Sequence, residues 1–150
     1  MADLLVVWLV VAMGLIYPGC AILFIDGTCV LCRWLSRIVV DADSEDRLEV
    51  APLRGAVAKS WLTESDRTNG DWVVLVEEGG RILRGADAMV RTLTILGGVF
   101  GMLARLIRML PVRLRDSAYR FIAIRRQLWF GTVSSCTLPA SRRRPRAALE

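Results

Sequence analysis

The 150-residue chain contains no histidine. That absence removes the commonest general base near neutral pH, the commonest zinc ligand and every Ser–His or Cys–His catalytic arrangement. Lysine is almost as scarce, Lys59 standing beside 19 arginines. Against 15 acidic residues the net charge is +5, and Arg142, Arg143, Arg144 and Arg146 fall within the last nine residues. The basic excess is therefore partly a property of the tail, which reads as a solvated end. Nucleic-acid binding is not expected. No RNP, zinc-finger or helix-turn-helix signature accompanies the arginines, and the strand-forming segments carry no aromatic stacking platform. Cysteine is sparse as well, at Cys20, Cys29, Cys32 and Cys136, which is not the dense spacing of a disulfide-stapled secreted mini-domain. What the chain has in quantity is hydrophobic residues, 54 % of the total, enough for the core of one domain.

Residues 4–25 carry no charge, a run long enough by count to span a membrane. Tyr17-Pro18-Gly19 interrupts it, and residues 21–25 are short, branched and aromatic and run into Asp26-Gly27, the pattern of a buried strand entering a turn. What remains, residues 4–16, would reach roughly 20 Å as a helix, short of the roughly 30 Å hydrocarbon core. The start Met-Ala-Asp lacks the positive charge of a secretory signal and no A-x-A site follows. Residues 1–20 thus form an apolar extension with three readings: a helix lying on the domain or on a membrane surface, a short anchor, or a mis-assigned start with Met13 as the true initiator.

Beyond the first strand, residues 32–40 read as a helix, with Leu31, Trp34, Leu35, Ile38 and Val39 at three- and four-residue spacing, and the acidic cluster 41–46 ends it. Residues 48–53 form a second strand, 55–62 a helix, 63–70 a polar loop, and 72–76 with 81–83 a hairpin across Glu77-Glu78-Gly79-Gly80. Helices follow at 87–96, 99–110 and 114–129, punctuated by Gly97-Gly98 and Pro111. Asp87 reads as a helix-start residue, and Trp34, Trp61, Trp72 and Trp129 as core. The order fits an α/β, thioredoxin-like fold: a small mixed four-stranded sheet flanked by helices, with extra C-terminal helices. The expected organisation is the extension 1–20, a domain at 21–139 and a basic disordered tail at 140–150.

The chemistry is concentrated in DGTCVLC. Two cysteines three apart at a helix start share one face, close enough for a disulfide. Cys29 would sit at the helix N-terminus, where unpaired N–H groups and the dipole favour a thiolate, and so acts as nucleophile. Cys32, one turn further in, is the more buried resolving thiol. The cycle needs no metal or organic cofactor. The alternative, half of a zinc site, lacks its other half: with no histidine it would have to recruit the distant Cys20 and Cys136. Covalent haem attachment fails because residue 33 is arginine.

ILFIDGTCVLCRWLSRIVV resembles the opening of the DCC (DxxCxxC) family of thiol-disulfide oxidoreductases, with Asp26, Cys29 and Cys32 at the motif positions. The segments RLEVAPLRG, WVVLVEEGGRILRGADA, LIRMLP and YRFIAIRRQLWFG extend the resemblance over roughly residues 21–139. It implies a thioredoxin-like fold and dithiol–disulfide exchange with a protein or small-molecule disulfide. Two departures from thioredoxins bear on substrate docking: no proline precedes the strand at 72–76, and Thr28 stands where they carry tryptophan. Pro52 reads as an edge or turn proline. Asp26 has two readings, a base for the resolving thiol with its pKa raised by burial, or a turn residue capping backbone donors. Uncharged Val30 and Leu31 suggest only a modest depression of the Cys29 pKa and a reductant or isomerase character. Cys136 reads as a structural or incidental residue rather than a third redox thiol. Cytoplasm is the expected compartment, since a cytosolic pair is kept reduced and cycles. The rival class is a peripheral membrane or partner-binding protein with a structural or metal-binding CxxC, using the apolar, arginine-bearing helices at 99–110 and 114–129. The same pattern suits helices that pack on the sheet and turn arginine to water, the reading preferred here.

Overall fold

The computed structural model describes residues 21–68 and 73–134. The expectations placed on residues 1–20, Trp72, Cys136 and the basic tail lie outside them.

Strand β1 (Ala21–Ile25) is the centre of the molecule. Ala21, Leu23 and Ile25 point to one face of the sheet and Ile22 and Phe24 to the other, so both faces are covered and the strand reads as continuously apolar. After it come α1 (Val30–Ala42), β2 (Leu48–Pro52), α2 (Ala56–Trp61), α3 (Glu64–Thr68), β3 (Val74–Val76), β4 (Ile82–Arg84), α4 (Gly85–Leu96), α5 (Gly98–Arg108) and α6 (Val112–Phe130). The strands lie in the order β2-β1-β3-β4. β1 and β2 pair in parallel from Ala21↔Leu48 to Ile25↔Pro52, a pairing that needs a crossover, here α1. β3 pairs antiparallel with β1 and forms a hairpin with β4. This is the mixed four-stranded, thioredoxin-like arrangement expected. Pro52 is the last residue of an edge strand, where a missing N–H costs no ladder bond.

One core joins Leu23, Ile25, Val50 and Leu75 to Val39 of α1 and Ala88 of α4, with Tyr119 of α6 packed against it. The other joins Phe24, Ala51, Val74 and Val76 to Ala58 and Leu62 beside α2. Asp43, buried at the end of α1, accepts the N–H groups of Arg47 and Leu48 and so hands the chain to β2. Gly97 and Gly98, with φ of +67° and +54°, reverse the chain between α4 and α5 at little steric cost.

Several expectations are corrected. Residues 64–68 are helical rather than loop. The Thr63 hydroxyl donates to Asp66 Oδ2 at 2.8 Å and accepts the Asp66 N–H at 3.3 Å, a local cap. Asp66 then takes both Nε and Nη2 of Arg84, at 2.6 and 3.0 Å, tying α3 to β4. Trp34, Trp61 and Trp129 are exposed, not core. In α1 the buried stripe is Cys32, Ser36 and Val39, and Trp34, 58 % exposed, lies off it. In α6 the buried side chains are Ala123 and Arg126, whereas Leu114, Ile124, Leu128 and Trp129 face outward. The expected sorting of apolar residues inward and arginine outward is inverted at Arg126. Arg125 does lie outside, 4.3 Å over the Phe121 ring, which meets Trp129 edge-on. Among the described residues no helix is long and apolar enough to cross a membrane.

Candidate active site

The parallel pair β1/β2 ends at Ile25 and Pro52, and the CxxC turn leaves from that carboxyl end, where open α/β sheets place their sites. Helix α1 begins at Val30, two residues earlier than the sequence pattern suggests, which makes Cys29 its N-cap. The Cys29 carbonyl accepts the Arg33 N–H at 3.0 Å, and its side chain makes no capping hydrogen bond. Cys32 lies one turn on. Both are free thiols and both are buried, Cys29 at 0 % and Cys32 at 4 % exposure.

Asp26 follows β1 and is 6 % exposed. Its Oδ1 accepts the Thr28 N–H at 3.0 Å and the Thr28 hydroxyl at 2.7 Å, closing an Asx turn that sets the approach to Cys29. Its Oδ2 accepts Nη2 of Arg126 at 3.2 Å, and Nη1 of the same guanidinium donates to Cys32 Sγ at 3.5 Å. One buried arginine thus bridges the motif aspartate and the second motif cysteine.

The electrostatics follow from this bridge. Burial pushes the Asp26 carboxyl up, but the two Thr28 donors and the charges of Arg126 and Arg54 outweigh it and hold the group below its ordinary value of 3.8. The expectation of a raised pKa is corrected on this point: the burial is present, but so are donors and cations the sequence did not reveal. The turn role anticipated for Asp26 is realised in its contacts with Thr28. At Cys32 burial dominates and pushes the thiol up to about 12; Arg126 opposes the rise, while Cys29 and Asp26 add to it.

A third segment completes the site. Gly131, with φ of +81°, ends α6 and turns the chain back across the CxxC loop. The Val30 N–H donates to the Gly131 carbonyl at 3.3 Å and the Val133 N–H to the Thr28 carbonyl at 2.9 Å, setting Thr132 opposite Cys29 as an antiparallel bridge. This clamp fixes the end of α6, and with it Arg126, against the start of α1.

Arg126 and residues 131–133 were not singled out by the sequence, and Thr28 only as a departure from the thioredoxin tryptophan, not as the partner of Asp26. The trace of Arg126 was its place on one helical face, Tyr119-Ala123-Arg126 at spacings of four and three. Among the described residues no three Cys, Asp or Glu side chains cluster as a metal site would require.

Residues 23–132 match the DCC1-like thiol-disulfide oxidoreductase family, a span that takes in Asp26, Cys29, Cys32 and Arg126. The chain is 27 % identical over 121 residues to the uncharacterized protein YuxK of Bacillus subtilis (strain 168), covering 79 % of this chain and 87 % of that one. It is 29 % identical over 119 residues to the chloroplastic DCC family protein At1g52590 of Arabidopsis thaliana, covering 78 % and 69 %. No solved structure matches. With the family match running from β1 through the clamp at Thr132, the chain belongs to the DCC1-like thiol-disulfide oxidoreductases.

Proposed function

We propose that the protein reduces or isomerises disulfides, with Cys29 as nucleophile and Cys32 as resolving thiol. The observation that carries this reading is the placement of Cys29 as N-cap of α1 with Cys32 one turn inside, both as buried free thiols. The Cys29 sulfur attacks one sulfur of the substrate disulfide; that bond breaks, the leaving sulfur takes a proton, and a mixed disulfide remains. The Cys32 sulfur then displaces the second substrate sulfur from Cys29. The dithiol has lost two electrons and two protons, and the substrate has gained them as two thiols. A resolving thiol pushed up to about 12, burial outweighing the opposing charge of Arg126, gives the reduced state no net thiolate stabilisation at that sulfur, which suits a reductant or isomerase rather than a strong oxidant. Asp26 sets the Thr28 turn and anchors Arg126. A cytoplasmic setting would return the pair to its reduced form after each turnover.

The test is incubation with glutathione disulfide followed by peptide mapping. The Cys32→Ser protein should hold glutathione on Cys29, Cys29→Ser should hold none at Cys32, and the wild type should pass to an internal disulfide. Equal labelling of both cysteines would defeat the assignment.

A second property is supported by α5, whose exposed Val99, Met102 and Leu106, with Met109 at its C-cap, form one face edged by exposed Arg105 and Arg108. That is the pattern of a helix lying on an anionic bilayer. A form ending at Pro139 should co-sediment with phosphatidylglycerol vesicles and lose binding on Leu106→Asp; equal binding to neutral vesicles, or none, would remove this reading.

A further inference from the structure

We infer that Arg126 is a catalytic residue of the resolving half-reaction: its guanidinium, held in place by Asp26, contacts the Cys32 sulfur and stabilises the negative charge that sulfur carries as it attacks Cys29. The inference rests on the Cys29/Cys32 exchange proposed above and adds to it a group that acts in one step only.

The geometry leaves the guanidinium little choice of orientation. Asp26 Oδ1 is engaged by Thr28, so Oδ2 takes Nη2 of Arg126 and turns Nη1 toward Cys32 Sγ. A planar fork holds a carboxylate and a sulfur at once in a fixed geometry, which the freely rotating ammonium of a lysine does not impose. Arg126 is 3 % exposed, so its charge is little screened by water. The charged or titratable groups around the Cys32 sulfur are Arg126 from α6, Cys29 ahead of α1 and Asp26 after β1, with Arg54 acting on Asp26 from beyond β2. Arg126 alone of these makes a sulfur anion easier to form.

The alternative agent is Asp26, as a base. Its carboxylate is stabilised in the charged form by Thr28, Arg126 and Arg54, which makes it a weak proton acceptor. A guanidinium cannot accept the proton either. Its contribution is electrostatic: it favours the thiolate, the Cys32 electron pair closes the bond to Cys29, the bond from Cys29 to the substrate sulfur breaks, and the released proton ends on that departing sulfur. The fixed charge stands where charge develops, so no reorganisation is needed during the step.

Ellman's disulfide separates the two steps, because one thionitrobenzoate leaves when Cys29 attacks it and a second when Cys32 attacks the mixed disulfide on Cys29. In a Cys20→Ser, Cys136→Ser background, Arg126→Gln should leave the rate of the first release within about twofold while slowing the second about 10²-fold. The pH profile of the second release should move to higher pH. Arg126→Lys should recover part of that rate, and Asp26→Asn, which removes the carboxylate that holds the guanidinium on the Cys32 sulfur, should slow the second release as well. A folded Arg126→Gln protein that releases the second thionitrobenzoate at the wild-type rate, or slows both releases equally, overturns the inference and leaves Arg126 a fold ion pair. If Arg126→Gln does not fold, Arg126→Lys decides: a second release as fast as wild type, or both releases slowed equally, overturns the inference. No second release from the unaltered pair would instead defeat the Cys29/Cys32 exchange itself.

Discussion

Replacing Asp26 by asparagine changes one charge and almost no volume, and it tests whether the carboxylate is a structural counter-ion. The pair Asp26 Oδ2–Arg126 Nη2 is 3.2 Å long and both side chains are buried. At an effective dielectric near 20, two unit charges at that distance attract by about 5 kcal/mol. Desolvation offsets much of this in the intact pair, but removing one partner strands the other, at a cost of about 3–5 kcal/mol. An asparagine oxygen can still accept both Thr28 donors, so their contribution stays. The expected loss for Asp26→Asn is therefore about 3–5 kcal/mol at pH 7, read by urea denaturation. The sign of its pH dependence follows from the lowered pKa of Asp26. A carboxyl depressed in the fold adds stability above its unfolded value, and that stability disappears as pH falls through the folded value. The gap between wild type and variant should then be full at neutral pH and narrow below about pH 4. A second readout is the Cys32 thiol, which should titrate below about 12 once the carboxylate charge is gone. A gap under about 1 kcal/mol at pH 7, or one that does not narrow in acid, would refute the buried pair.

Val133→Pro removes the N–H that donates to the Thr28 carbonyl and should speed alkylation of the buried Cys29 at least severalfold; an unchanged rate would mean that the 131–133 clamp does not control access. Asp66→Asn should cost about 1–2 kcal/mol in chemical denaturation, since it spoils the two-pronged contact with the half-exposed Arg84. Hydrogen bonding to Arg84 leads the lowering of the Asp66 pKa, so this contribution too should fade in acid. Phe24→Ala, at a fully buried position of β1, should cost about 3–5 kcal/mol, whereas Trp34→Ala should stay within about 0.5 kcal/mol.

The parts of the molecule that were legible in the sequence are those fixed by local pattern. Residues 21–25 read as a strand because every residue is apolar, and Asp26-Gly27 announced the turn, so the position of CxxC between β1 and α1 followed directly. The Glu77-Glu78-Gly79-Gly80 turn likewise marked the β3–β4 hairpin to within about two residues. Helix α3 was missed although its cap, Thr63 three residues before Asp66, stood in the sequence inside a polar stretch. The tryptophans were misplaced because apolar character was equated with burial, whereas α1 buries the narrow stripe Cys32-Ser36-Val39 and leaves Trp34 outside. Arg126 was the largest omission. Its partners lie 94 and 100 residues earlier, and locally only its place on the Tyr119-Ala123-Arg126 face sets it apart from its neighbour Arg125, which faces solvent. The clamp of residues 131–133 on the CxxC turn, with Tyr119 and Ala123 packed inward, turns that face to the site.

The most direct test of the account is the reduction potential of the Cys29/Cys32 pair. Purified protein would be equilibrated in a series of glutathione buffers, its thiols trapped and their state read by mass spectrometry, with Cys29→Ser as control. The account predicts one reversible two-electron transition confined to this pair, at about −200 to −280 mV, the reducing side of the range for such proteins. Absence of an internal disulfide at every glutathione ratio, or a disulfide formed through Cys20 or Cys136 instead, would contradict it.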